Sequence, residues 1–188
     1  MLLETPIIPT NKIIIFLPGI SGGASSERFR PLVQASHQVG FAIARLDLWN
    51  SAEEAKQESL EELHQELDGI IGEIKSQGYK TIAVVGKSFG GGLWMAHNNP
   101  AIDARVLWAP ATGMTKVDFS DLDQIQTPVC VIHGTADDRV PFADSEKLVA
   151  ALPNAKLVPI PGANHSFDDP RHEKQLINET VRFLTALD

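Results

Sequence analysis

The sequence predicts an α/β fold, a doubly wound and mostly parallel sheet of six to seven strands with helices on both faces. Two observations carry that expectation. Six short runs rich in Val, Ile and Leu recur along the chain, most with helical sequence between one and the next. Several are apolar at nearly every position rather than alternating, as strands covered on both faces are.

The runs are 12–17, 41–46, 81–85, 104–109, 129–132 and 156–160. Pro159 cannot donate to a ladder and places the last run near a sheet edge. Pro31 suits the first turn of a helix that carries Leu32, Val33 and Val39. Ser59-Leu60-Glu61-Glu62 has the pattern of a capping box, in which hydroxyl and carboxylate satisfy each other's free N–H groups. Leu60, Leu63, Leu67, Ile70, Ile71 and Ile74 follow as one stripe at helical spacing, and Gly78 ends it. The acidic stretch holding Glu53, Glu54 and Glu58 fits an extra turn of helix or a loop, with loop the preferred reading. Helices are expected over Phe142–Leu152 and Glu173–Leu187.

At 188 residues, with no internal repeat or linker, the chain reads as one domain spanning 1–188. Its composition, 43% apolar and 21% charged, is that of a folded globular protein rather than a disordered one. The net charge of −8 excludes nucleic acid as the main partner, because phosphate binding needs clustered Lys and Arg. No run approaches the roughly 20 apolar residues of a membrane span, and Met1–Pro6 lacks the pattern of a signal peptide. A cytoplasmic protein without membrane association is expected, monomeric or homodimeric. Cys130, the only cysteine, stands in an apolar run and reads as a buried structural thiol.

In doubly wound sheets ligands bind beyond the carboxyl ends of the strands, and the chemistry-bearing residues fall there. The third run leads directly into Gly86-Lys87-Ser88-Phe89-Gly90, a G-x-S-x-G pattern before a helix-compatible stretch. A serine on so sharp a strand-to-helix turn has strained backbone geometry and needs small residues on either side. It also stands at a helix N-terminus, which favours developing negative charge. Gly86-Lys87-Ser88 shares its last three residue types with a phosphate-binding loop. That motif needs a glycine where Thr81 stands and a flexible loop where strand residues stand.

Two further segments follow strands. One is His133-Gly134-Thr135-Ala136-Asp137-Asp138-Arg139-Val140-Pro141; the other is Gly162-Ala163-Asn164-His165-Ser166-Phe167. A serine, then an acid, then a histidine is a workable order for nucleophile, orienting carboxylate and general base. Ser88 and His165 fill two of those places, and Asp137 and Asp138 compete for the third. A second backbone N–H is needed for the oxyanion, from the loop Leu17-Pro18-Gly19-Ile20-Ser21-Gly22-Gly23. Ile20 and Phe89 are the candidate donors. Trp49, Trp108 and Met114 are candidates for the apolar walls of a substrate site, with core packing as the competing account. His133 reads as a hydrogen-bonded structural residue. His37, His64, His97 and His172 read as packed or solvent-facing. No H-x-x-x-H spacing occurs, so no metal site and no cofactor are expected.

These three motifs, in this order, resemble the α/β-hydrolase family over essentially the whole chain from Lys12, most closely its small dienelactone-hydrolase-like and carboxylesterase-like members. Gly86–Gly91 is similar to the family's nucleophile elbow, 133–141 to its H-G-x-x-D-x-x-V-P acid loop, and 162–167 to its base loop. The resemblance puts the acid on Asp137. It implies a cofactor-free serine hydrolase cleaving esters or thioesters of small acyl substrates. Two departures stand out. Pro18-Gly19 replaces the usual His-Gly after the first strand, and Ser88 stands where dienelactone hydrolases have cysteine. The segment Pro110–Thr127 is too short for a cap domain, so an open site is expected. A peptidase with the same triad, or a binding protein that keeps the fold without turnover, are the alternatives.

Overall fold

A computed structural model describes residues 1–21, 23–120 and 122–187. In chain order the elements are β1 (Leu2–Glu4), β2 (Lys12–Leu17), α1 (Arg30–Gln38), β3 (Ala42–Arg45), α2 (Ala52–Gln57), α3 (Leu60–Ser76), β4 (Thr81–Lys87), α4 (Phe89–Ala96), β5 (Ala104–Trp108), β6 (Val129–Gly134), α5 (Phe142–Ala151), β7 (Ala155–Ile160) and α6 (Pro170–Thr185). Short 3₁₀ turns occupy Glu27–Phe29 and Leu122–Gln124.

The seven strands form one sheet in the order β1-β3-β2-β4-β5-β6-β7. Every neighbouring pair is parallel except β1 with β3. The chain steps from β2 outward to β3, then returns past β2 to β4 and continues the other way. The strand order therefore reverses between β2 and β4, where the loops leaving their carboxyl ends diverge and open a crevice.

Alternation along each strand feeds two cores. Ile13, Ile15 and Leu17 of β2 pack with Leu63, Leu67, Ile71 and Ile74 of α3, Leu93 and Trp94 of α4, and Leu148 of α5. Ile14 and Phe16 face the opposite side, with Leu32 and Val33 of α1 and Leu176, Phe183 and Leu184 of α6. The helices thus cover both faces, as the unbroken apolar runs require. Cys130 is fully buried, and burial pushes its thiol up to about 11, so it stays protonated and inert. Among the described residues no helix is long and apolar enough to cross a membrane.

The capping box forms as read. Glu62 N–H donates to Ser59 Oγ at 3.2 Å, and Ser59 N–H donates to the Glu62 carboxylate at 3.0 Å. Gly78 beyond α3 has φ +93°. The last strand, holding Pro159, lies at a sheet edge.

The acidic stretch after β3 departs from expectation, since residues 52–57 are helix, not loop. Ser51 Oγ accepts from Glu54 N–H at 3.1 Å, and Glu54 reaches back to Asn50 N–H at 2.7 Å. Glu53 and Glu54 occupy the first turn, where carboxylates are favoured by the helix dipole, and Ala55 is buried. The acidic pair is a helix-start signal. α6 likewise starts three residues early, at Pro170, because Asp169 caps it through Arg171 N–H at 2.8 Å.

Candidate active site

Ser88 follows the last residue of β4 and precedes the first of α4, with φ 52° and ψ −114°. That region is costly for a residue with a Cβ and persists only where the surroundings impose it. Here they do. Ser88 N–H donates to Trp108 O at the end of β5 (2.8 Å), and its carbonyl accepts from Gly92 N–H and Ala111 N–H (2.9 Å each). The turn also demands small flanking residues. A Cβ on Gly86 would lie 2.6 Å from Gly90 O, and one on Gly90 would collide with the carbonyls of Leu17 and Pro18. The loop after β2 abuts the serine, since a Cβ on Gly19 would stand 3.4 Å from Ser88 Cβ.

His165 stands in the loop between β7 and α6. Its Nδ1 donates to Asp137 Oδ2 at 2.8 Å. The other carboxylate oxygen accepts from the N–H groups of Arg139 and Val140, at 2.8 Å each. Asp138 is exposed. The acid and base loops are joined by Ala136 N–H to Ala163 O (3.1 Å) and Gly162 N–H to Thr135 Oγ1 (2.9 Å).

His133, near the end of β6, is fully buried and does more than the sequence indicated. Its Nε2 lies 3.1 Å from Asp137 Oδ2 and 3.2 Å from Val140 O, both acceptors. The proton therefore sits on Nε2, and Nδ1 accepts from the buried Ser145 hydroxyl of α5 at 2.6 Å. Asp137 is consequently held from four sides. Burial opposes its ionisation, but the donors on His133, His165, Val140 and Arg139 outweigh that and keep the carboxyl well below the usual carboxylate range. The signal for His133 was its i, i+4 spacing to Asp137; nothing in the sequence pointed to Ser145.

Ser88 and His165 line one open cleft of about 440 Å³, with Gly19, Ile20, Met114 and Val140 among its walls. Ile20 thus borders the serine. Phe89 is the first residue of α4, whose N–H groups have no partner within the helix, and its ring packs edge-on against Trp49 at 5.2 Å. Gly22 of the same loop lies outside the described residues. Of the three candidate wall residues only Met114, half exposed, reaches this cleft. Trp49 is buried and borders the adjoining cavity of about 370 Å³ beside Asp47 and Asn50. Trp108 is core: its indole N–H donates to Thr180 Oγ1 of α6 at 2.9 Å.

The sequence also passed over the basic side chains of the cleft. Lys87, Arg28 and Arg139 all line it. Burial, then the charge of Arg28, pushes the Lys87 ammonium down to about 8. The signal was present: a lysine closes an otherwise apolar strand one residue before the serine. Among the described residues no group of three or more His, Cys, Asp or Glu is placed to hold a metal ion.

A sequence model of the prolyl oligopeptidase family matches residues 93–187, half of the chain. The chain belongs to the prolyl oligopeptidase family. The match covers Asp137 and His165 and begins just downstream of Ser88. A curated relative, the uncharacterized peptidase YuxL of Bacillus subtilis, is 37% identical over 57 residues, 28% of this chain. That stretch is 9% of YuxL's own length.

Solved structures extend the likeness to the whole fold. Ferulic-acid-bound Est1E from Butyrivibrio proteoclasticus superposes with a TM-score of 0.86 at 18% identity, over 97% of this chain and 92% of that one. A dienelactone hydrolase from Anabaena variabilis gives 0.81 at 23% identity, over 97% and 88%. The monoacylglycerol lipase of Paleococcus ferrophilus gives 0.83 at 16% identity, over 100% and 99%. At these identities the likeness shows the fold, which is that of the α/β hydrolases.

Proposed function

We infer that the protein is a serine hydrolase cleaving carboxylic esters, or thioesters, through an acyl-enzyme on Ser88. The observation that carries this reading is the strained Ser88 turn, pinned at the sheet's topological switch point and sharing a cleft with a histidine already oriented by a buried carboxylate.

The chemistry follows from those positions. Ser88 Oγ attacks the substrate carbonyl while His165 Nε2 takes its proton, Nδ1 being committed to Asp137. The carbonyl π electrons move to oxygen, and the oxyanion is met by the N–H groups of Phe89 and Ile20, each worth about 3 kcal/mol in comparable sites. Collapse breaks the bond to the leaving alcohol or thiol, which receives the proton from His165. Water, activated by the same histidine, then hydrolyses the acyl-enzyme.

Ser88→Ala is expected to abolish labelling by a fluorophosphonate and to lower kcat by a factor on the order of 10⁶, while melting near the wild-type temperature. Labelling of the alanine variant at full stoichiometry would remove Ser88 from the mechanism. Absence of labelling in the folded wild type would favour a binding protein without turnover.

Peptide hydrolysis uses the same groups, and the family match together with YuxL speaks for it. Turnover of acyl esters beside aminoacyl-prolyl anilides separates the two. The ester reading expects rapid turnover of the first and little of the second.

A further inference from the structure

The cleft that holds Ser88 is charged opposite to the rest of the molecule. The chain has 24 acidic and 16 basic residues and a net charge of −8. Yet among the described residues the side chains lining the cleft include Arg28, Lys87 and Arg139 and no carboxylate. Asp137 belongs to the same region, but its oxygens are consumed by His133, His165 and two backbone N–H groups.

Two of the three cations have no carboxylate of their own. Arg28 is engaged: it pairs with Asp168 at 3.0 Å and donates to Ser166 O. Among the described residues neither Lys87 nor Arg139 forms an ion pair. Lys87 is the more telling. It is partly buried, its ammonium lies 5.9 Å from the centre of the Phe167 ring, and Arg28 and Arg139 are like charges near it. The carboxylates of Asp168, which Arg28 holds, and Asp137, which the histidines and backbone hold, offset only part of that repulsion; neither pairs directly with the ammonium, so an entering anion would be favoured there. Lys87 is the only charged residue of β4, and it follows the buried run Ile82–Gly86.

We propose that Lys87 and Arg139, with Arg28 behind them, form an anion subsite beside Ser88, and that the preferred substrates are esters carrying a carboxylate on the acid or alcohol portion. This rests on the serine-hydrolase reading for the bond that is cleaved, but not for the binding of the anion. The subsite orients the ester by its charged end and leaves the carbonyl at Ser88. It also selects against neutral acyl chains, which would leave the Lys87 ammonium without a direct ion pair.

The test uses matched pairs: monomethyl adipate against dimethyl adipate, and 4-acetoxybenzoate against 4-acetoxybenzamide. The anionic member of at least one pair is expected to have the higher kcat/KM, by on the order of tenfold at low salt. That ratio should collapse towards one in Lys87→Met, shrink in the exposed Arg139→Gln, and fall as salt is added. Binding of monomethyl and dimethyl adipate to Ser88→Ala is measured in parallel by calorimetry, with and without Lys87→Met. Equal kcat/KM within both pairs, with equal binding, overturns the anion subsite and leaves the hydrolase standing. Tighter, Lys87-dependent binding of the monoester without Ser88-dependent turnover of any ester keeps the subsite and overturns the hydrolase. A preference for the anion that survives both substitutions overturns the assignment to Lys87 and Arg139.

Discussion

Asp137 receives four hydrogen bonds, two from histidine rings and two from backbone N–H groups, and this decides how its neighbours respond to mutation. An amide would keep its oxygen for the N–H groups of Arg139 and Val140, which cannot reverse, and would turn its NH2 towards His165 and His133, where a change of tautomer is then needed. Asp137→Asn should therefore cost roughly 10⁴ in kcat, the scale seen when a triad histidine is held in the wrong tautomer. Asp138→Asn should leave kcat within a few-fold, and parallel ester assays on the two variants check the contrast. His133 acts through Asp137. Removing its Nε2–H in His133→Phe takes away one of the four donors that hold the carboxylate against His165, so kcat should fall while KM holds, with His133→Gln intermediate; ester assays on folded preparations of both variants check this. The sequence made Ser88 and His165 legible because each sits in a loop whose spacing is imposed by chemistry. Choosing between Asp137 and Asp138 took the resemblance, because neighbouring residues in one loop carry no periodicity that tells inward from outward. Ser145 and Arg28 reach the site only through tertiary packing, and no local pattern announces that.

At the scale of elements, the contact between β4 and α4 holds Ser88 in place. Gly86 lies against the backbone of Gly90 and Gly91, which cannot move aside as a side chain could. Gly86→Ala should push α4 away from β4, costing about 1–3 kcal/mol as overpacking does, and should lose fluorophosphonate labelling with it. Chemical denaturation and labelling of one preparation check both. Where α3 meets the end of α4, the rings of His64 and His97 lie 4.9 Å apart. Both are short of partners at Nε2, although Asp68 Oδ1 stands 3.0 Å from His97 Nε2 outside good hydrogen-bond geometry. Burial, then the proximity of His64, pushes His97 down to about 4; Asp68 opposes this and Arg105 adds to it. A depressed histidine contributes stability that is complete above the ordinary value of about 6.5 and is lost as pH falls towards 4. The melting temperature should drop between pH 6.5 and 5, before carboxylates titrate, and the drop should flatten in His97→Asn. Strands β2 to β7 and helix α3 were legible because apolar runs and a capping box are local signals. Helix α2 was not, because six residues are too few to show a period, and a cluster of carboxylates fits a solvated loop as well as a helix start.

For the molecule as a whole, the least legible element is β1. Its three residues form no apolar run, and their pairing partner lies some forty residues further on, at Arg45, Ala44 and Ile43. Glu4 binds Arg45 at 2.9 Å and Arg30 at 3.0 Å, and the nearly buried Arg45 in turn donates to the carbonyls of Ala24 and Ser26. A parallel sheet of buried strands otherwise ends at β3 in a row of unpaired N–H and C=O groups, an open template for the edge of another chain. The short antiparallel strand occupies that template, and the ion pairs of Glu4 clamp it there. The short strand is therefore expected to act as a gatekeeper against edge-to-edge aggregation, covering with three residues the edge that β3 would otherwise present.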